Sequence, residues 1–234
     1  MSTSDLLAAD TSMGAVTLLV ADLDGMTAYY RDAVALTVLP SPSDTAAADT
    51  VTLGRGTTPL IILRAAPELI HASPRDAGLF HTAILFDSEA GLAASVYSVA
   101  TKVPGSFTGS SDHLVSKAFY FTDPEGNGID SAREFYVNRL GFEQTILYGD
   151  SALFVSAGGY HHHMAMNTWN SAGAGRRGRT LGLGRVDIVV PGADDLASLG
   201  ERMSHHGIAT RNDGQTLSFD DPWANVIRVT ASSS

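Results

Sequence analysis

Short apolar runs rich in β-branched residues alternate along the chain with segments that have helical spacing. The runs are bounded by Gly, Pro or Asp, as strands are, whereas the helical segments place apolar residues three and four positions apart. The predicted strands are Ala15–Ala21, Thr50–Leu53, Leu60–Arg64, His81–Phe86, Ala118–Thr122, Ala152–Ser156, His163–Asn167, Arg185–Val190 and Asn225–Val229. The predicted helices are Met26–Val34, Glu89–Thr101, Ser131–Arg139 and Asp194–His206.

The chain contains an internal repeat. The helical segment 23–36 is similar to 129–142, and the two align Tyr30 with Tyr136. A Pro-containing turn, Asp123–Ile129, also recurs late in the chain, after another aromatic strand, as Asp221-Pro222-Trp-Ala-Asn225-Val-Ile227. Strand, helix and two or three further strands therefore recur four times, which predicts an α+β fold of four βαβββ modules.

These modules divide into two halves of two modules each. The first half is predicted at residues 13–130 and the second at 131–232. The Gly- and Arg-rich stretch Ser171–Gly184 is predicted to be a flexible connector.

The composition and the net charge of the chain argue against several classes of function. The 234 residues are 44% hydrophobic, which is enough for one or two cores, and the net charge of −10 argues against a nucleic-acid partner. Cysteine is absent, so disulfides and thiolate chemistry are excluded. No apolar run approaches the roughly 18 residues of a membrane span, and the N-terminus lacks the features of a signal peptide. We therefore expect a cytoplasmic protein without a membrane partner.

Five motifs in order along the chain resemble those of one superfamily. They are Val16-Thr-Leu-Leu-Val-Ala-Asp-Leu23, Phe80-His-Thr-Ala-Ile-Leu85, Ser111-Asp-His-Leu-Val-Ser116, Asp123-Pro-Glu-Gly-Asn-Gly-Ile129 and Gly159-Tyr-His-His-His163. Together they resemble the vicinal oxygen chelate superfamily, which includes glyoxalase I, bleomycin-resistance proteins and extradiol dioxygenases. The chain is most similar to its bacterial catechol 2,3-dioxygenase-like members. The resemblance implies paired βαβββ modules that form half-open barrels.

The resemblance also implies a divalent metal, bound by the first and last strands of the modules. Two His and one carboxylate suit Fe(II), which is the first choice here, with Mn, Zn or Ni as alternatives. His81 stands at a first-strand position, and Asp130 stands at a last-strand position where relatives carry Glu. Tyr120 and His113 match acid–base and second-sphere residues of extradiol enzymes. A strand-end role for His81 and a helix N-cap role for Asp130 remain open alternatives.

Other ligand positions are not filled by metal-binding residues. Ala15 stands where the first module should supply a ligand, and Thr17 nearby would be a poor substitute. Arg185 and Arg228 stand at the corresponding positions of the fourth module, and a guanidinium cannot ligate a metal.

Three consecutive histidines follow Tyr160. On a strand, His161 and His163 would share one face, and His162 would lie on the other. Imidazoles in an apolar strand are costly unless they bind polar partners or metal, so His161 and His163 are candidate metal ligands as well. A purely structural polar strand is the alternative.

The junction at Ile129–Ser131 departs from the superfamily pattern, because the strand that should open the third module is missing. Either the chain carries a deletion, or the sequence joins segments across residues that are absent from it. The second alternative is favoured, since a module without its first strand leaves a broken sheet edge. It predicts a chain break near this junction.

The resemblance favours a metal-dependent oxidoreductase similar to extradiol catechol-type ring-cleaving dioxygenases. One alternative is a glyoxalase-like isomerase or lyase, and another is a metal-free small-molecule or antibiotic-binding protein. The expected partner is a small aromatic or dicarbonyl-type substrate, and a homodimer is compatible with the fold.

Overall fold

The fold is taken from a computed structural model of the whole chain. Its described residues are 6–40, 48–73, 75–77, 82–86, 88–112, 117–122, 134–149, 151–167 and 174–232. The strands in chain order are β1 Ser12–Val20, β2 Thr37–Leu39, β3 Thr50–Arg55, β4 Thr58–Ala65, β5 Phe107–Asp112, β6 Lys117–Phe121, β7 Glu143–Tyr148, β8 Ala152–Ser156, β9 Met164–Asn167, β10 Gly182–Val190, β11 Thr210–Asn212, β12 Thr216–Asp220 and β13 Val226–Ala231. The α-helices are α1 Leu23–Ala28, α2 Glu89–Lys102 and α3 Ala193–His205, and two π-helical segments span Tyr29–Ala33 and Glu134–Arg139.

Local sequence signals explain where the α-helices begin. The Asp22 carboxylate accepts a hydrogen bond from the backbone N–H of Gly25 at 2.9 Å at the start of α1. The Ser88 hydroxyl accepts one from Gly91 at 3.1 Å at the start of α2. The carboxylate of Asp195 accepts from the backbone N–H of Gly192 at 3.0 Å and so closes the first turn of α3. These side chains satisfy backbone groups that the first turn leaves without partners.

An eight-stranded sheet dominates the molecule, with strand order β11-β12-β13-β10-β1-β4-β3-β2. Strands β1 and β10 are antiparallel neighbours at its centre, with Thr17 opposite Arg185. The first module (β1–β4) and the fourth module (β10–β13) therefore share one sheet. The sequence had led us to expect pairing within each half, which would have joined the first module to the second.

Two smaller sheets hold the strands of the second and third modules. One consists of β5 and β6, and the other has the order β7-β8-β9. Among the described residues, no ladder joins these two sheets. Residues 82–86, where a strand was predicted, have no regular secondary structure. That prediction was wrong for residues 82–86, while His81 lies outside the described residues.

The core divides along the same line as the modules. Leu18, Ile61 and Leu63 pack under Met26 of α1 and the first π-helical segment. Ile188 and Ile227 belong to a second cluster, which packs under α3 and the second π-helical segment. Both clusters lie on the side of the eight-stranded sheet that the helices cover. The intervening residues of the central strands therefore point to the opposite face, which we call the helix-free face.

The predicted repeat is confirmed in the two π-helical segments. In the first, the N–H of Val34 donates to the carbonyl of Tyr29 at 3.1 Å, and the N–H of Leu36 donates to that of Tyr30 at 2.9 Å. The second segment shows the same pattern: Leu140 donates to Phe135 at 2.8 Å, and Phe142 to Tyr136 at 3.0 Å. Each segment also carries an edge-to-face aromatic pair with ring centroids 5.2 Å apart.

The predicted connector is partly fixed in place. Within the described residues 174–181, the backbone N–H of Arg177 donates to the carbonyl of Trp223 at 3.0 Å, and that of Leu181 donates to Ile70 at 2.9 Å. The Arg177 guanidinium also donates to Asn225 at 3.1 Å. This part of Ser171–Gly184 is therefore attached to the fourth module through Arg177 and to the segment after β4 through Leu181, and it is not a free linker. No helix in the described part of the chain is long and apolar enough to cross a membrane.

Candidate functional site

Three of the predicted site residues lie outside the described residues. These are His81 and Asp130, the candidate ligands of the second module, and His113, the candidate acid–base residue. The junction Ile129–Ser131, with its predicted chain break, also lies there. Their predicted roles stay predictions. The same holds for the division of the chain at residue 130.

Tyr120 lies on β6, where it pairs with Gly109 of β5. Its side chain is half-buried. A half-buried tyrosine is compatible with the acid–base or oxyanion role that the resemblance implies. The catalytic role of Tyr120 stays a prediction.

The three histidines lie in the connection between β8 and β9. A strand was predicted to begin at His163, but β9 begins at Met164, and residues 158–163 form the turn. Side-chain hydroxyls hold this turn: Thr145 donates to the carbonyl of His161 at 2.7 Å, and Ser156 donates to that of Tyr160 at 2.6 Å. The argument from strand alternation for His161 and His163 therefore does not apply to this backbone.

The His163 ring is bound by its own hairpin. Its Nδ1 accepts a hydrogen bond from the backbone N–H of Ala157 at 3.1 Å, and its ring centroid lies 6.3 Å from that of buried Phe142. A neutral imidazole that accepts at Nδ1 carries its proton on Nε2. Burial lowers the pKa of His163, and the nearby His161 lowers it further. In this state neither nitrogen offers a free lone pair, so metal ligation by His163 would require the hydrogen bond to Ala157 to break.

The His161 ring packs against aromatic neighbours. Its centroid lies 4.2 Å from Tyr160 and 4.5 Å from His162, whose own ring lies 5.1 Å from Phe154. No group of three or more His, Asp or Glu side chains that could hold a metal occurs within the described ranges. The described donors therefore do not by themselves fit a divalent metal. Ligation by His161 or His163 stays a prediction that depends on residues outside those ranges.

The helix-free face of the eight-stranded sheet carries a different kind of cluster. Asp187, which is buried, lies between Arg185 and Arg228. Arg185 donates from Nε to Oδ1 at 2.6 Å and from Nη2 to Oδ2 at 3.2 Å, while Arg228 donates from Nε to Oδ1 at 3.1 Å and from Nη2 to Oδ2 at 2.5 Å. Each arginine therefore donates two hydrogen bonds to the same carboxylate. These guanidinium groups stand at the two positions of the fourth module where the resemblance implies metal ligands.

Sequence reasoning did not single out Asp187. A signal was present, since Arg185-Val-Asp187 places a cation and a carboxylate two residues apart on a predicted strand, and so on one face.

The close packing of β1 against β10 at Asp187 also involves Gly14. A Cβ at residue 14 would lie 2.9 Å from the Cβ of Asp187, so a larger residue there would push β1 away from β10.

A separate groove of about 530 Å³ lies beside the N-terminal segment. Its lining includes Ala9, Gly158 and Ser198, and the charged residues Glu143 and Arg202. Arg202 already donates to the carbonyls of Arg139 at 3.2 Å and Leu140 at 2.8 Å. The groove thus marks the contact of the N-terminal segment with α3, not a cluster of reactive groups.

Comparison with known proteins supports the superfamily. No protein-family model matches the chain. The catechol-2,3-dioxygenase of Bacillus subtilis (strain 168) is 26% identical over 275 residues, which cover 91% of this chain and 94% of that protein. Because 275 aligned positions exceed the 234 residues of the chain, the relative carries segments that have no counterpart here.

Solved structures agree at the level of the fold. A protein from Bacillus subtilis subsp. subtilis str. 168 that is described as a dioxygenase superposes with a TM-score of 0.67 at 13% identity, covering 98% of this chain and 87% of its own. Glyoxalase I from Zea mays superposes with a TM-score of 0.63 at 14% identity, covering 95% and 92%. The repeated modules, the shared sheet and these comparisons show the fold of the vicinal oxygen chelate superfamily, and the chain is similar to proteins described as a dioxygenase and a glyoxalase I.

Proposed function

We propose that the chain is a metal-dependent enzyme of the extradiol type, which opens the ring of a small catechol-like substrate. The name of the Bacillus subtilis relative supports the reaction class, and its alignment extends over 91% of this chain. The alternative of a glyoxalase-like isomerase or lyase is supported by the fold alone, because glyoxalase I from Zea mays is only 14% identical to this chain.

The observation that carries the location of the site is the pairing of the first module with the fourth. Arginines fill the ligand positions of that pair, and a guanidinium cannot bind a metal. Modules of this superfamily work in pairs, so the second and third modules are left to form the other pair. His81, Tyr120 and Asp130 from the second module would then face His161 and His163 of the third. Three candidate imidazoles and a carboxylate would then come from one module pair, where the sequence alone had divided them between two.

The chain's own residues would position and protonate the substrate. Tyr120 would donate a hydrogen bond to a substrate oxygen, and His113 would accept a proton from the catechol hydroxyl. A divalent metal, with Fe(II) as first choice, would supply adjacent positions for two neighbouring oxygens. The described donors do not complete such a site, so the metal enters the proposal as a requirement for experiment to test.

A metal-free binding protein is the second candidate. The observation that favours it is the absence of a metal-binding cluster from the described residues, together with the arginines on the helix-free face. Such a protein would hold a small aromatic or dicarbonyl compound without converting it. It would also be expected to purify without stoichiometric metal.

The test is metal analysis of protein purified without chelators, followed by catechol turnover in air after anaerobic loading with Fe(II). We expect about one metal per chain and a yellow ring-opened product. The variant His81→Ala should lose both, whereas His205→Ala, at the exposed end of α3, should keep both. Iron-loaded, folded protein without product would contradict the dioxygenase proposal, and failure to bind any metal would favour the metal-free candidate.

A further inference from the structure

We propose that residues 6–11, which we call the strap, form a releasable latch that keeps a ring nitrogen of His163 occupied by a backbone donor. The strap directly precedes β1 and so belongs to the first module, whereas His163 lies in the third. The latch is a property of the fold and needs no metal. Its meaning for activity rests on the proposed function, in which His163 would be a metal ligand.

The strap contacts the third module where the start of β7 lies beside the end of β8. The backbone N–H of Leu7 donates to the carbonyl of Gly141 at 2.8 Å. The Leu7 side chain is 8% exposed and belongs to the core cluster that contains Phe142. The carbonyl of Ala9 lies so close to Gly158 that a Cβ there would be 2.2 Å from its oxygen. The strap therefore spans the ends of two adjacent strands.

These contacts adjoin the hydrogen bond that holds the His163 ring. Ala157, whose N–H donates to Nδ1 of His163 at 3.1 Å, directly precedes Gly158. The ring centroid of His163 lies 6.3 Å from that of Phe142, which follows Gly141. The strap thus fixes the backbone on both sides of the imidazole. When the strap leaves, the Ala157–Gly158 backbone is no longer held, and Nδ1 loses its donor.

The hold on the strap is small enough for local opening. Among the described residues, a single backbone hydrogen bond joins the strap to the third module, and a single large apolar side chain of the strap, that of Leu7, is buried. Ala9 and Asp10 are exposed, and the strap lines the groove of about 530 Å³, so part of its surface faces open space. Segments with few buried contacts open at a lower free energy than the whole protein. The strap can therefore leave while the core stays folded.

Two pairs of variants separate the strap from the turn that it contacts. Gly158→Ala places a methyl group against the carbonyl of Ala9, and Gly159→Ala is its control. The two glycines have φ values of 63° and 75°, so both substitutions carry similar backbone strain, but a Cβ at residue 159 would have nothing within 4 Å. Leu7→Ala removes the buried anchor and leaves the turn unchanged. Its control is Leu6→Ala, at a half-buried position of the same strap.

The experiment has two readouts, both made with no metal added. Hydrogen exchange of the Ala157 amide is followed by NMR, and carbethoxylation of His163 by diethyl pyrocarbonate is mapped by mass spectrometry. We expect both rates to rise at least about tenfold in Gly158→Ala and Leu7→Ala relative to their control variants, because opening separates the amide from the ring nitrogen. Exposed His206 should react equally in all five proteins.

Three results would overturn the proposal. Equal rates in Gly158→Ala and Gly159→Ala would show that backbone strain, and not the contact with Ala9, controls the turn. Equal rates in Leu7→Ala and Leu6→Ala would exclude an anchor at Leu7. A Leu7→Ala protein that unfolds as a whole would assign Leu7 to the global core and exclude a strap that opens separately.

The outcome is distinguishable from that of the proposed function. If Gly158→Ala fails to fold, the comparison of Leu7→Ala with Leu6→Ala decides alone. Because neither readout needs metal or turnover, failure of the catechol assay would contradict the dioxygenase proposal and leave the latch intact. Unchanged exchange at Ala157 would contradict the latch and leave the dioxygenase proposal intact.

Discussion

At the scale of single residues, the two copies of the repeat differ at one position in a turn that requires a positive φ. Ala35, which follows the first π-helical segment, has a φ of 65°, and Gly141 stands at the corresponding place after the second segment with a φ of 95°. Positive φ brings a Cβ too close to the backbone, and glycine lacks that atom. The two copies of one turn therefore differ in strain although they share the same hydrogen bonds.

Ala35→Gly should therefore raise the free energy of unfolding by about 0.5–1 kcal/mol, because relief of the positive-φ strain exceeds the added entropy of the unfolded chain. The reverse change in the other copy, Gly141→Ala, should lower it by about 1–2 kcal/mol. Urea denaturation measures both. Because Ala35 is exposed, its methyl group packs little, so a loss of stability in Ala35→Gly would show that the added entropy of the unfolded chain exceeds the strain relieved.

At the scale of the elements, sequence patterns predicted most strands of the eight-stranded sheet and all three α-helices, and they missed several other strands. The central strands of the eight-stranded sheet and all three α-helices were predicted, because apolar periodicity and capping residues mark them. The strands β2 Thr37–Leu39 and β11 Thr210–Asn212 were missed, since these short edge strands bury little and carry almost no pattern. The strands β5, β7 and β12 were missed as well, although β12 buries alternate residues. The three histidines were misplaced for a related reason, because two side-chain hydrogen bonds to the backbone turn a β-like sequence into a loop.

The hairpin that holds His163 should make stability depend on pH. Burial and the neighbouring His161 lower the pKa of His163, so the folded state favours its neutral form. Stability from this residue is complete above the ordinary histidine pKa of about 6.5 and is lost as the pH falls through the lower folded value. We expect urea denaturation at pH 7.5 and 5.5 to show a smaller loss in His163→Gln than in the wild type.

His206→Gln is the control for that measurement, because His206 is exposed after the end of α3. Its loss of stability between the two pH values should equal that of the wild type. If His163→Gln also behaved like the wild type, the hydrogen bond from Ala157 to Nδ1 would not select the neutral ring.

At the scale of the whole molecule, the pattern of modules was predictable but their partners were not. Periodicity and repeats report which residues form a strand, whereas the order of strands in a sheet depends on contacts that are distant in sequence. Thr17 and Arg185 are direct neighbours across β1 and β10, and nothing in either segment specifies the other. The candidate site follows the same rule: its residue types could be named from the sequence, but whether His81, Asp130 and His161 share one module pair depends on this long-range choice.

A cross-link tests the pairing of the first module with the fourth directly. Ser12 lies opposite Val189 on β10, and antiparallel neighbours have Cα atoms about 4.5–5.5 Å apart, which a disulfide can span. The native chain has no cysteine, so Ser12→Cys combined with Val189→Cys creates a single defined pair. Under oxidation we expect this pair to form within one chain, to change electrophoretic mobility, and to raise the free energy of unfolding by about 2–4 kcal/mol. Ser12→Cys with Asn212→Cys, on the far edge strand of the same sheet, should stay reduced. A folded double variant Ser12→Cys/Val189→Cys that stays reduced would contradict the shared sheet. Pairing of the modules within each half would then be favoured again, and the histidines of the second and third modules would belong to two different sites.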